Sequence, residues 1–74
     1  MNMTQVYIYA EMGINEQIGR INSEMGEIDF YRHLNRSTEE QEERYKKLSG
    51  WLVDWEKRLA SLKVSAKENN IRLF

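Results

Sequence analysis

Cysteine is missing from all 74 residues, which removes disulfides and the usual thiolate zinc sites as sources of stability. A chain of this length makes one domain. It struggles to enclose a core without a disulfide, a metal, a partner copy or unusually regular helix packing. Packing and association are what remain. Proline is missing too, which suits long uninterrupted helices, since an interior proline costs about 3 kcal/mol. Charge of one sign is lacking as well: eleven basic and twelve acidic side chains leave a net −1. No global field therefore draws the chain to nucleic acid or to a membrane surface.

Long apolar runs are also scarce. The near-continuous one towards the N-terminus is "VYIYA", residues 6 to 10, too short for a signal-peptide core or a membrane span. The expectation is a soluble, cytoplasmic protein, in which the sequons at Asn2 and Asn35 are chance matches.

Catalytic signatures are equally thin. The sequence has no glycine-rich phosphate loop, no nucleophile elbow and no cysteine nucleophile. His33 is the one histidine. Asp29 stands four residues before it, on one helical face, but a single such pair falls short of a metal site. A histidine close to the end of a helix more commonly helps to satisfy the terminal carbonyls. The expectation is a non-enzymatic protein with no cofactor and no metal.

What is present is periodicity. Ile14, Ile18, Ile21, Met25 and Ile28 step by four, three, four and three. Tyr45, Leu48, Leu52, Trp55, Leu59, Leu62 and Ala66 alternate three and four throughout. Both are a/d patterns of mean period 3.5, the seam of helices in coiled-coil contact. Between them, Ser37 followed by Glu40 reads as a capping box, and Glu39, Glu40, Glu42 and Glu43 crowd the positive end of the second helix. The spacing predicts helices over 14–34 and 38–68.

A fold-back between Arg36 and Ser37 pairs residues whose numbers total 73. Ile28 then meets Tyr45, Met25 meets Leu48, Ile21 meets Leu52, Ile18 meets Trp55, and Ile14 meets Leu59. Charge agrees: residues 1–30 carry five acids and one base, net −4, while residues 57–74 carry five bases and one acid, net +4. Antiparallel folding lays these segments side by side, with Glu27 and Asp29 near Arg44, Lys46 and Lys47, and Arg20 near Asp54 and Glu56. The fold class is all-α, an antiparallel two-helix hairpin forming a single domain over 1–74.

Several large or unusual residues lie off this seam. Gly19 and Gly26 stand one heptad apart, each costing roughly 1 kcal/mol relative to alanine within a helix. Phe30, Tyr31, Trp51 and Val53 have no cover in a two-helix hairpin. Exposed apolar clusters of this kind mark interfaces, and an isolated helix pair is marginal. The expectation is a homodimer forming a four-helix bundle, with Gly19, Gly26, Phe30, Tyr31, Trp51 and Val53 at a dimer or partner interface. Trp51 is equally suited to anchor a different protein.

The two ends are ambiguous. Val6, Tyr7, Ile8 and Tyr9 favour strands, the stripe breaks at Glu11, and Gly13 with Asn15 suits a turn and cap. Asn69 and Asn70 suit a helix stop. Short strands near 5–9 and 71–74, and an extension of the first helix, are both open. The function expected is protein–protein interaction, by a small regulator or inhibitor of a size that also suits a phage or mobile element. The alternative is a nucleic-acid-binding accessory factor using Lys57, Arg58, Lys63, Lys67 and Arg72. These spread around the helix without a recognised motif, so nucleic acid is the weaker reading. Membrane binding is weaker still, because the polar faces are mixed in charge.

Overall fold

The computed structural model describes residues 2–71. These form two helices, α1 (Met3–His33) and α2 (Glu39–Glu68). Tyr7 bonds to Ser65 at one end and Arg32 pairs with Glu42 at the other, so the helices run antiparallel. The result is a rod of 49 × 16 × 15 Å, the length that about thirty residues span at 1.5 Å each.

The seam lies where the heptads place it. Ile21, Ile28 and Leu48 are buried together, and Met25, Tyr45, Leu52 and Trp55 pack against them. Three of the five expected layers, and Trp55 from a fourth, thus belong to one cluster. Ile14, Ile18 and Leu59 continue the same stripe, half-buried. At the open end Tyr7 and Ser65 have numbers totalling 72, one residue from the expected register. Among the described residues Leu48 is the most enclosed large side chain, 2% exposed. Burying a side chain of this kind contributes about 1.5–3 kcal/mol. Among the described residues only Ile21, Ile28, Leu48 and Ala66 are buried, so the hairpin has little to spare.

Both helices start and stop by the same devices. Asn2 accepts from the Gln5 backbone N–H and the Gln5 side chain accepts from the Asn2 N–H; Thr38 and Gln41 repeat this reciprocal box on α2. At the C-termini, Asn35 (φ 54°) and Asn70 (φ 57°) take the left-handed conformation. The N–H groups of Arg36 and Asn35 donate to the carbonyls of Tyr31 and Arg32, and those of Ile71 and Asn70 donate to Ala66 and Lys67. These are two Schellman motifs, each satisfying carbonyls that would otherwise be orphaned. The expected helix stop at Asn69 and Asn70 is therefore where α2 ends.

Four expectations change. Residues 5–9 are helix, not strand. The stripe does not break at Glu11 but runs Tyr7, Glu11, Ile14 in unbroken four-three steps, all half-buried against α2. A seam of eight or nine helical turns outweighs strand propensity in a segment whose alternative, an isolated strand pair, is marginal. Ile71 carries no strand structure, and residues 72–74 of the other expected strand lie outside those described. Gly13 and Asn15 are interior to α1, not a turn and cap.

The capping box also sits one residue later than expected, on Thr38 and Gln41. The Schellman turn consumes Asn35 and Arg36, which leaves Thr38 (φ −88°, ψ 163°) in the extended geometry a cap needs. Thr38→Ala should cost about 1 kcal/mol in denaturant unfolding, whereas Ser37→Ala should change stability by under about 0.5 kcal/mol.

Finally, the ion pairs differ from those expected. Arg44 reaches Glu24 (3.1 Å), Arg20 pairs with Glu16 one turn away on its own helix (2.7 Å), and Arg32 bridges Asp29 and Glu42. The Arg32 Nε lies 3.2 Å from Glu42 Oε2, close enough for an ion pair but without hydrogen-bond alignment. Long exposed side chains choose among several neighbours at about 0–1 kcal/mol each.

Candidate protein-interaction surface

A rod of two helices cannot cover its own apolar residues. Of the residues expected at an interface, Phe30, Tyr31, Trp51 and Val53 are exposed, between 43% and 61%. Gly19 and Gly26 are exposed as well. A methyl group built on either glycine meets nothing within 4 Å, so the hairpin itself does not require them.

These residues do not form one patch. Gly26, Phe30 and Tyr31 share a shallow groove with Glu27, and the two rings meet edge to face at 5.7 Å. Gly19 lies in an adjoining hollow with Ser23 and Glu27. Trp51 belongs elsewhere, in a crevice between the helices lined by Gln17, Arg20, Glu24, Arg44 and Trp55 above Ile21 and Leu48. Val53 is two residues from Trp51, about 200° around the helix, and points away from it.

The Trp51 crevice is a built feature. The Arg44 guanidinium stacks over the indole of Trp51 at 5.0 Å while donating to both carboxylate oxygens of Glu24. Arg58 stacks on Trp55 at 4.6 Å and Arg32 on Tyr45 at 4.4 Å. Glu24 on α1 thereby fixes Arg44, which holds a half-exposed indole on α2. A tryptophan oriented in this way loses less freedom when covered than a loose one.

A further exposed face is absent from the sequence-based list. Met3, Val6, Tyr9 and Met12 all point outward from the first turns of α1, between 49% and 60% exposed. Residues 2–15 contain one charge, Glu11. That carboxylate is turned towards the seam, its Oε2 buried without a hydrogen-bond partner. The outward side here thus lacks the charge that an ordinary surface helix carries. The charge-free opening "MNMTQVYIYA" carried the signal; its strand-like composition drew attention instead.

The basic residues of α2 show no comparable organisation. Lys57, Arg58, Lys63 and Lys67 are all exposed. None of the ion pairs among the described residues joins them to α1, so the neutralisation expected from the acidic first helix is not made by direct contact. Among the described residues no three His, Asp or Glu side chains converge as metal ligands, and no helix is long and apolar enough to cross a membrane. Comparison with protein families, curated proteins and solved structures finds no match to this chain.

Proposed function

We propose that this protein is a non-enzymatic protein-interaction module, a small helical regulator or inhibitor that works by occupying the surface of another protein and that itself associates as a homodimer. The observation that supports this reading most is the ratio of covered to uncovered apolar side chains. Among the described residues four hydrophobic residues are buried, while ten large ones, from Met3 to Val64, are exposed. Six of the ten fall into two groups, the face of Met3, Val6, Tyr9 and Met12 and the Phe30–Tyr31 pair, and grouped exposed apolar side chains mark interaction sites. Association of two hairpins into a four-helix assembly covers some of them.

Trp51 is the anchor for the partner in this reading. Its ring is held by Arg44 and Glu24, and the crevice beside it reaches the core at Ile21 and Leu48. Aromatic anchors beside arginine are characteristic of binding hot spots. Replacing Trp51 and Tyr31 with serine should weaken capture of the cognate protein from the native host at least about tenfold, roughly 1.4 kcal/mol. Circular dichroism should stay helical, because neither ring is buried. Unchanged capture and unchanged self-association in the double variant would remove the basis for this function.

A further inference from the structure

The geometry points to the outward face of α1 as the surface on which a second copy of this chain docks, antiparallel and about a two-fold axis. The inference rests on the self-association proposed above and names its surface and register.

Directly opposite the seam, Tyr9, Met12, Glu16, Gly19, Ser23 and Gly26 step by three and four, a second heptad stripe on the same helix. Every one of them is exposed. The stripe is divided by size: Tyr9 and Met12 lie towards the N-terminus, Gly19, Ser23 and Gly26 towards the C-terminus. An antiparallel pairing in which residue numbers total 35 sets large against small twice over. Tyr9 falls on Gly26 of the second copy, and Met12 falls on its Ser23. A parallel pairing would set ring on ring and glycine on glycine.

Charge selects the same register. With numbers totalling 35, Glu16 lies against Gly19 of the second copy with Arg20 of that copy immediately beside it, and the symmetry repeats the pair. Both side chains are well exposed, 61% and 70%, and already reach for one another within a chain. Glu27 and Asp29 meet the uncharged residues around Val6 and Ile8. Sliding by one heptad, to a total of 42, would set Glu16 against Gly26 of the second copy with Glu27 immediately beside it, and would move Tyr9 off the glycines onto His33. Like charges oppose that slide and favour the register that fills the glycines.

The arrangement also accounts for the uncharged opening of α1, since an outward face without charge is what a helix–helix contact needs. It leaves the Trp51 crevice free for a different protein. The strip over residues 9–26 is short, about 26 Å, which places the dimer at the weak end of specific interfaces.

The test uses two single-cysteine chains, Met12→Cys and Ser23→Cys, in a protein with no other cysteine. Both positions are exposed, so the hairpin does not depend on either. Mixed and mildly oxidised, they should give the mixed disulfide in at least roughly tenfold excess over either homodimer, because like residues sit about 16 Å apart and a disulfide needs Cα atoms within about 7 Å. Self-linking of the Met12→Cys chain would mean a parallel contact and overturn the proposal. No linking despite a dimer by light scattering would overturn this face while leaving self-association intact. A monomer in which an environment-sensitive fluorophore on the Met12→Cys chain shifts its emission on phosphatidylglycerol vesicles would assign the face to lipid, overturning both.

Discussion

Leu48→Ala should reduce stability by about 2–5 kcal/mol, enough to leave the isolated chain largely unfolded at room temperature. Leu48 is 2% exposed and sits with Ile21 and Ile28 at the centre of the buried cluster among the described residues. Removing its isopropyl group leaves a cavity that two long helices cannot readily close by collapsing, because they are tied together at both ends, Tyr7 to Ser65 and Arg32 to Glu42. A domain of this size starts with only a few kcal/mol, so one side chain decides between folded and unfolded. The equivalent change at Leu52 or Leu59, half-buried, should cost distinctly less. Urea unfolding followed by circular dichroism measures both; equal losses at Leu48 and Leu59 would contradict a core centred where the structure puts it.

Replacing Gly13, Gly19, Gly26 and Gly50 together by alanine should raise hairpin stability by roughly 3–4 kcal/mol, from about 1 kcal/mol of helix propensity at each site. All four lie inside helices without positive φ, and an added methyl group meets nothing within 4 Å at any of them. The sites are at least six residues apart in sequence, far enough for the effects to add. The pair Gly19 and Gly26 carries a second expectation: the same substitutions that stiffen the helix should weaken self-association, because Tyr9 of a second copy meets a methyl where it met a bare backbone. Gly13→Ala and Gly50→Ala, off that stripe, should stabilise without this loss. Thermal melts at two protein concentrations separate the two effects.

The heptad arithmetic carried most of the architecture. Ile21, Ile28 and Leu48 could be paired across the turn before any coordinate, because a 3.5-residue period on two segments leaves few antiparallel registers and opposite charge removes others. The first three turns of α1 were less legible. Val6, Tyr7, Ile8 and Tyr9 have strand propensities that local reasoning weighs heavily, whereas the decisive contacts, Tyr7 with Ser65 and Asn69, are about sixty residues away in sequence. Ion pairs were legible in sign but not in partner: Arg44 chose Glu24 over Glu27 and Asp29 because its stacking on Trp51 fixes where the guanidinium can reach. The residues expected at an interface are exposed, but helical rotation parts Trp51 from Val53. The face around Tyr9 was overlooked because its strand-like composition concealed its lack of charge.

Sedimentation equilibrium of the unmodified chain, from low micromolar to submillimolar concentration, tests the central claim most directly: that the apolar outside of this hairpin exists to be covered. The account predicts a reversible shift from 8.9 kDa towards twice that mass, suppressed when Tyr9 and Met12 are made polar. A single 8.9 kDa species at every concentration, unfolding sharply on heating, would show that two helices suffice and would contradict it.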